Sequence, residues 1–312
     1  MSPAAAFIIA LVLSLSLTPL WRRLALRAGA IDCPVERSSH TEPTPTSGGF
    51  AIYASFWLAM LALNWPPSGF MLGILIGSAI LLVVCYIDDT RGLHPAPRFA
   101  TQFLVAGVAY YFGVQVVQIT NPVVGLVGPH YVFMGWLSAS VTMIWIVFII
   151  NAVNWLDGLD GLAAGVSSIA ALTLATIAAV AGQTTVALAA AALAGGAAGF
   201  LRYNFAPAKI FMGDVGAMFL GYVLACLSVV GAVKVSTGLM ILVPLLVLGL
   251  PIYDSTSTIL KRALAGKPIY RPDRTHLHHR LLDNGLSTRE TVLLMYGITG
   301  FLCVVALGVW VR

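Results

Sequence analysis

Charged residues are scarce in this sequence, and that scarcity restricts its class. Asp, Glu, Lys and Arg together make up 9% of the 312 residues, against roughly 25% in an ordinary soluble domain. These charges are too few to cover the surface of a soluble globular enzyme, and a disordered chain needs the opposite composition. Because 59% of the residues are hydrophobic and no periodic tract indicates a fibre, the composition predicts an all-α, polytopic integral membrane protein.

Cysteine is scarce as well. The four cysteines, Cys33, Cys85, Cys226 and Cys303, form no CxxC pair, so neither a disulfide framework nor a thiolate metal site is indicated. The sequence also lacks an internal repeat and a long linker. We therefore expect residues 1–312 to form a single membrane-embedded domain.

About ten apolar runs have the length of a membrane-spanning helix, or nearly so. They lie at 4–20, 49–64, 70–87, 100–117, 132–153, 162–181, 186–201, 215–233, 238–259 and 291–311. The first run has no positively charged segment before it and is followed by Trp21-Arg22-Arg23. We therefore expect it to be an uncleaved first helix rather than a signal peptide.

The charges divide unequally between the two faces of such a bundle. If ten helices alternate in direction, only Lys234 and Arg312 of the 17 basic residues fall on one face. The positive-inside rule makes the other, basic face cytoplasmic and both termini external. All 12 acidic residues also lie in, or at the edge of, segments on the basic face. We expect the chemistry to take place at the cytoplasmic membrane surface.

Asp88 and Asp89 end the third apolar run. Adjacent carboxylates repel each other, which suits such a pair to Mg²⁺ binding or to general-base catalysis. A solvated helix end is the structural alternative. Arg91 and Arg98 follow closely and favour a role in anion binding.

Asn151, Asn154, Asp157 and Asp160 recur at every third position between two apolar runs. On a helix they drift slowly around one side, and their side-chain oxygens are hard ligands and hydrogen-bonding groups. A helix-capping loop is the structural alternative, but a cap does not require four such residues. The series therefore indicates a functional site.

The segment 211–216 opens another helix and contains Phe211 and Asp214 between glycines. Asp214 is either an N-cap or a ligand of a phosphate-bound cation. Phe211 is either part of the core or a plate on which a flat ring stacks.

The largest inner loop carries a basic cluster that contains Arg271, Arg274, His276, His278 and His279. No second ligand group with zinc spacing accompanies the histidines. The cluster fits contacts to a diphosphate better. A solvated positive loop would explain the arginines but not the histidines.

Two further features have open roles. His40 precedes a Gly/Pro-rich turn at 44–49, for which a structural role is the default and contact with an anionic headgroup the alternative. Asp254 lies in or near the ninth apolar run, where a charge is costly and therefore hints at function.

Phosphoryl transfer to a lipid requires the groups that this sequence collects on one membrane face, namely carboxylates, cationic donors, histidines and an aromatic ring. A secondary transporter is an alternative, although its ionisable residues would lie near the membrane midplane and often in repeated halves. A lipid-binding scaffold is another alternative. It would explain the basic loops but not the Asn/Asp series.

The sequence resembles the polyprenyl-phosphate N-acetylhexosamine-1-phosphate transferases of glycosyltransferase family 4, which include the WecA, TagO and MraY types. The matching segments occur in the order and in the inner loops typical of that family. They are HTEPTPTSGGFAIY (40–53), DDTRGLHPAPR (88–98), NAVNWLDGLDGLAAG (151–165), FMGDVGAMFLGY (211–222) and RPDRTHLHHRL (271–281).

The resemblance implies a bundle of ten or eleven transmembrane helices in the bacterial inner membrane, with a cytoplasmic active site. It implies transfer of a sugar-1-phosphate from a UDP-sugar to undecaprenyl phosphate, which releases UMP and starts a lipid-linked cell-surface glycan. The implied cofactor is Mg²⁺, with Mn²⁺ as the alternative. The implied partners are a UDP-N-acetylsugar, undecaprenyl phosphate and membrane lipid, without nucleic acid; a homodimer is left open.

The resemblance also assigns roles to individual residues. Asn154 and Asp214 resemble the metal ligands, and Asp88, Asp89 and Asp157 the catalytic carboxylates. We favour direct attack by the lipid phosphate with Asp88 as a helper over a covalent aspartyl intermediate. The residues implied to bind substrate are Arg98 at the diphosphate, Asp160 and Phe211 at the uracil, and Arg271, Arg274, His276, His278 and His279 at the phosphate and sugar.

The spaced histidines of HLHH resemble the WecA and TagO types rather than the MraY type, which has three consecutive histidines. This difference argues against a muramoyl-pentapeptide donor, and UDP-GlcNAc is the first choice. The segment ERSSHTEPTPTSGG (36–49) is also similar to relatives that use UDP-FucNAc or UDP-QuiNAc to initiate O-antigen.

Overall fold

The computed structural model of the protein describes residues 2–33, 43–120, 131–232, 242–266 and 276–311. Within these ranges the fold is a bundle of helices with two short antiparallel hairpins. The helices are α1 (Pro3–Ala28), α2 (Gly49–Leu63), α3 (Gly69–Arg91), α4 (Pro95–Tyr111), α5 (Leu137–Leu156), α6 (Leu162–Val180), α7 (Thr184–Asn204), α8 (Gly213–Ala232), α9 (Leu242–Val247), α10 (Gly249–Leu264), α11 (Leu277–Asp283) and α12 (Thr288–Val311). Strands β1 (Ile31–Asp32) and β2 (Thr44–Pro45) pair with each other, as do β3 (Gln118–Thr120) and β4 (Tyr131–Phe133).

Helices occupy each of the ten predicted apolar runs. Among the described residues, seven of them (α1, α3, α5, α6, α7, α8 and α12) are long and apolar enough to cross a membrane. The predicted all-α, multi-pass membrane fold is therefore confirmed. The count of ten spans stays a prediction, because α2 has only 15 residues and the ninth run is divided at Leu248 into α9 and α10.

Small residues allow the helices at the centre to approach closely. Helix α7 packs against α1 and α6, and Gly195 and Gly199 of α7 face the backbone of α1 so closely that a Cβ at either position would overlap Phe7 or Leu11. Such small-residue contacts are a common way for helices to associate in a membrane. Helix α8 is buried along almost its whole described length and packs against α3 and α5.

The two ends of the bundle differ in chemistry. The carboxyl ends of α1, α3 and α5 meet the amino ends of α4 and α8 at one end, where Asp88, Asp89, Arg98 and Asp214 lie. At the opposite end Trp65, Tyr111 and Trp136 are exposed, as is typical of aromatic residues at a membrane–water boundary. The fold thus collects the polar segments of the sequence at one boundary of the apolar bundle.

Candidate active site

The amino end of α8 is held by a carboxylate from another helix. Asp89, at the carboxyl end of α3, accepts hydrogen bonds from the backbone N–H groups of Asp214 (3.0 Å) and Val215 (3.5 Å). The first N–H groups of a helix lack partners within it, and a negative charge is favourable at that end. Gly213 provides the space, since a Cβ there would lie 2.6 Å from Oδ2 of Asp89. Asp89 therefore fixes the turn that carries Asp214.

Arg98 joins two carboxylates from different helices. Its Nε lies 2.9 Å from Oδ2 of Asp88, and its Nη2 lies 2.6 Å from Oδ2 of Asp214. The other oxygen of Asp214 accepts a hydrogen bond of 2.7 Å from the side-chain amide of Asn154. Charge-assisted bonds of this kind are stronger and more directional than neutral ones. The guanidinium group thus offsets the repulsion between the two acids and orients both.

The loop between α5 and α6 carries Asp157 and Asp160, and it is tied to the segment that follows α7. Asn204 accepts a hydrogen bond of 3.0 Å from the backbone N–H of Gly161, and Asp160 accepts one of 2.8 Å from the N–H of Ala208. Gly161 has φ = +82°, a left-handed conformation that glycine adopts without strain. These contacts fix the position of the loop, and with it Asp157 and Asp160, relative to the other elements of the site.

Asp157 lies where several negative charges are close together. Burial raises the pKa of its carboxyl well above the ordinary range, and the neighbouring Asp214, Asp89 and Asp160 raise that pKa further. Like charges at close range disfavour the ionised form unless a cation compensates them. The crowding therefore favours a positively charged ligand at this position.

Helix α11 brings the histidines to the same loop. His278 is 1% exposed, and its Nε2 lies 2.6 Å from the position that a Cβ on Gly158 would occupy. Burial, and then the charge of His279, lower the pKa of His278 to about 3. His278 is consequently neutral near pH 7, which fits a packing or hydrogen-bonding role better than that of a cation.

The Gly/Pro turn at 44–49 has a definite structural partner. Gly48 and Gly49 donate backbone hydrogen bonds of 2.9 Å each to the carbonyls of Phe211 and Met212, and Phe211 donates one of 2.8 Å to the carbonyl of Pro45. The default structural role is therefore observed, since the turn braces the segment that leads into α8. Thr46 and Ser47 of the same turn also reach the cavity.

A cavity of about 820 Å³ opens between these elements. One wall is formed by the end of α1 and by β1, residues 28–32. The polar and aromatic residues on the other walls include Asp89, Asn154, Asp157, Asp160, Phe211, Asp214 and His279. The site therefore combines oxygen ligands, a flat ring and an imidazole in one concave, accessible space.

A family model supplies the identification. The model described as "Glycosyl transferase family 4" matches residues 71–232, a range that contains Asp88, Asp89, Arg98, Asn154 and Asp214. The chain belongs to glycosyl transferase family 4.

Relatives within glycosyl transferase family 4 cover almost the whole chain. A Bacillus subtilis (strain 168) protein named "Probable undecaprenyl-phosphate N-acetylglucosaminyl 1-phosphate transferase" is 38% identical over 95% of this chain and 82% of its own length. The "Decaprenyl-phosphate N-acetylglucosaminephosphotransferase" of Mycolicibacterium smegmatis is 35% identical over 90% of this chain and 76% of its own. The "Phospho-N-acetylmuramoyl-pentapeptide-transferase" of Shouchella clausii is 28% identical over 97% and 95%.

The structure brings most of the predicted site residues together in this family member. Seven of them line the cavity, while Asp88 and Arg98 reach it through Asp214. His276 and His278 lie behind His279. Arg271 and Arg274 lie outside the described residues, as does His40. The individual roles of all these residues stay predictions.

Some residues behave differently from the sequence pattern. Asn151 belongs to the predicted Asn/Asp series, but its amide donates to Gln102 Oε1 (2.6 Å) and to its own helix. Asn204 was not predicted, yet it lines the cavity and also donates a bond of 3.0 Å to the carbonyl of Ile210. Asn204 follows Arg202 and Tyr203 at the end of an Ala-rich helix, and this polar helix end was the available signal.

The donors in the cavity fit a hard divalent cation. Asn154 uses its amide nitrogen to bond Asp214, so its oxygen is the atom that can coordinate a cation beside the Asp214 carboxylate. Within the described ranges no group of three His, Cys, Asp or Glu side chains could hold a metal without other ligands. Mg²⁺ in phosphoryl-transfer sites is bound by one or two carboxylates together with substrate phosphates. The residues present fit that mode, with a diphosphate completing the ligand set.

Proposed function

We propose that this protein transfers N-acetylhexosamine-1-phosphate from a UDP-sugar to undecaprenyl phosphate and releases UMP. The carrying observation is the convergence of Asp214, Asn154, Asp157 and the Arg98-linked Asp88 at one polar end of an apolar bundle. A lipid phosphate can reach such a site from the bilayer and a nucleotide from the water. Membership of the family and the names of the relatives support the same reaction.

We infer that the cavity faces the cytoplasm of a bacterial inner membrane, with both termini external and the whole chain acting as one unit. Among the described basic residues, Arg22, Arg98 and Arg289 contact segments beside the cavity, in keeping with the positive-inside rule. Helix α1 ends beside the cavity at Ala28 and α12 begins near it, where Arg289 bonds the carbonyl of Ala206. Both helices therefore run between the cavity and the far end of the bundle.

The proposed reaction is a substitution at phosphorus. An oxygen of the lipid phosphate attacks the β-phosphorus of the UDP-sugar, and a new P–O–P bond forms. The bond from the β-phosphorus to the oxygen that bridges to the α-phosphate breaks, and UMP leaves with that oxygen and its electron pair. The products are polyprenyl-diphospho-sugar and UMP, and nothing is oxidised or reduced.

The residues of the chain bind, orient and compensate charge in this reaction. Arg98 has five N–H donors, and those not used on Asp88 and Asp214 can contact phosphate. Asp88 orients Arg98 and assists the attacking phosphate from behind Asp214. Asp160 and Phe211 hold the uracil, and His279 faces the donor phosphate and sugar, with His276 and His278 packed behind it. In-line positioning and charge stabilisation supply most of the rate in reactions of this class.

Asn154 and Asp214 would hold Mg²⁺, or Mn²⁺ in its place. A cation held there would supply charge stabilisation to the leaving UMP. Asp157, whose pKa is raised by burial and by neighbouring acids, would support the cation from the adjacent loop.

UDP-GlcNAc is the donor that we propose first, since the relatives named above that are 38% and 35% identical both carry N-acetylglucosamine in their names. UDP-FucNAc and UDP-QuiNAc are the alternatives, in which case the product would initiate O-antigen. In each case the product begins a lipid-linked glycan of the cell surface.

The reaction is tested by following UMP release from purified protein in nanodiscs. We expect release to require undecaprenyl phosphate and a divalent cation, and to be fastest with UDP-GlcNAc in a panel with UDP-GalNAc, UDP-FucNAc and UDP-QuiNAc. Asp214→Asn and Asp88→Asn should each abolish it, while Asp283→Asn, an exposed carboxylate outside the cavity, should retain it. Normal turnover by both site variants would refute the site. Accumulation of unchanged sugar in proteoliposomes would point to a transporter instead.

A further inference from the structure

A buried carboxylate in α10 is not used by the proposed reaction. Asp254 is 1% exposed. Its Oδ2 lies 2.8 Å from Nδ1 of His276, and its Oδ1 accepts a hydrogen bond of 2.6 Å from the backbone N–H of Leu277. An ionisable group in so apolar a setting is expensive unless its hydrogen bonds are satisfied. Both oxygens of Asp254 have a donor, and both donors belong to the start of α11.

This arrangement fixes the tautomer of His276. An ionised carboxylate only accepts hydrogen bonds, so the hydrogen that lies between Asp254 and His276 belongs to Nδ1 of the imidazole. Nε2 is then the nitrogen that carries the free lone pair while the ring is neutral. A carboxylate that holds one nitrogen of a histidine commonly sets the orientation and basicity of the other.

Ring contacts connect His276 to the residues that line the cavity. Its ring stacks on that of His278, with centroids 5.6 Å apart and planes at 10°. The Trp155 ring lies beside it, tilted by 60°, with centroids 5.9 Å apart. His278 in turn lies 4.3 Å from His279, centroid to centroid. His279 lines the cavity. His276 is therefore connected through His278 to His279, the imidazole at the cavity.

We propose that Asp254 is a positioning residue for the transfer reaction. It acts through His276, by holding the Nδ1–H tautomer and by anchoring the first turn of α11, so that His279 faces the donor phosphate and sugar in one fixed arrangement. This inference rests on the proposed function for its catalytic consequence. The contact between Asp254 and His276 can be tested without it.

Asp254→Asn is the discriminating variant, because it keeps the shape of the side chain and one acceptor oxygen. If that oxygen bonds the N–H of Leu277, the amide nitrogen must donate to Nδ1 of His276 and force the hydrogen onto Nε2. We expect kcat/KM for UMP release to fall at least about tenfold, as for other residues that orient a functional histidine. Asp254→Glu, which keeps the carboxylate, should restore part of that loss.

A double-mutant cycle separates positioning from a general loss of stability. If Asp254 acts through His276, Asp254→Asn should cause no further loss of kcat/KM in a His276→Gln background. A merely structural role would make the two losses multiply. Ser257→Ala is the matched control on the same helix, since its hydroxyl donates to the backbone carbonyl of Asp254 within α10 and not to the Asp254 carboxylate, and it should leave turnover unchanged.

Nitrogen-15 NMR of histidine-labelled protein provides a readout that does not depend on turnover. The His276 signals, assigned by their loss in His276→Gln, should show hydrogen on Nδ1 in the wild type and on Nε2 in Asp254→Asn. The opposite tautomer in the wild type, an unchanged tautomer in the variant, or multiplying losses in the cycle would each overturn the inference. If the wild type releases no UMP from any donor, the proposed function fails, while the spectra still decide whether Asp254 controls His276.

Discussion

At the scale of single residues, Arg98 holds the centre of the site, because one guanidinium group contacts Asp88 and Asp214 at once. Arg98→Lys keeps the charge but lacks the fork that reaches two carboxylates. Arg98→Met lacks both the positive charge and the forked guanidinium group. We expect kcat/KM to fall in the order wild type, Lys, Met, with roughly ten- to hundredfold lost in Met from hydrogen bonds to charged groups.

The Arg98 series is measured as UMP release at saturating undecaprenyl phosphate. Arg23→Met is the control, since it removes an exposed positive charge at the end of α1 without touching the acids. Equal activity of the Lys and wild-type enzymes would show that the charge alone matters and that the double contact does not.

The position of the His278 ring requires a glycine at residue 158. A Cβ at this residue would lie 2.6 Å from Nε2 of His278, so Gly158→Ala should push α11 away from the loop that carries Asp157. We expect turnover to fall at least tenfold, about 1.4 kcal/mol in the barrier, while the protein still inserts. Gly297→Ala is the control, because a Cβ in that part of α12 meets nothing within 4 Å. Full activity of Gly158→Ala would mean that the His278 contact has no role in turnover.

At the scale of elements, the close approach of α2 and α8 holds the turn at 44–49 in place. A Cβ on Gly49 would overlap the backbone of Gly216, and backbone cannot move aside as a flexible side chain can. Gly49→Ala should therefore destabilise the protein by about 1–3 kcal/mol through overpacking. The thermal midpoint in detergent should fall by several degrees. The outcome that contradicts this packing is a midpoint equal to that of Gly300→Ala, whose new methyl group would have open space.

The sequence was sufficient to predict the helices and the convergence of the acids, because long apolar runs and polar segments at fixed intervals have one solution in a membrane. It did not predict the break of the ninth run at Leu248, although Gly249 and Pro251 follow that residue, because glycine and proline are tolerated inside membrane helices. The sequence also did not predict the pairing of Asp254 with His276. The two residues are 22 positions apart, and their contact depends on how α10 and α11 pack.

Neighbouring residues of one motif also have different hydrogen-bond partners, because each packs against a different helix. Asp88 and Asp89 are adjacent in the sequence, but one bonds Arg98 and the other the amino end of α8. Asn151 and Asn154 are three positions apart, but one faces Gln102 and the other Asp214. Spacing along a helix indicates the side on which a residue lies, whereas the partner depends on which neighbouring helix is present there.

At the scale of the whole molecule, the inferred orientation can be measured with a native probe. Cys33 is exposed beside the cavity wall, while Cys85, Cys226 and Cys303 are buried. A membrane-impermeant maleimide should therefore label Cys33 in inverted vesicles and not in intact cells or right-side-out vesicles. Trp65→Cys in a Cys33→Ser background should give the reverse pattern, because residue 65 is exposed at the far end. Labelling of Cys33 from outside would place the cavity on the external face.

The walls of the cavity are drawn from both ends of the chain, from residues 28–32 beside α1 to His279 in α11. During synthesis residues 28–32 leave the ribosome long before α11 does. A nascent or truncated chain that stops before α11 consequently has the acidic residues of the cavity but lacks His279. Turnover should therefore begin only once α11 has joined the bundle.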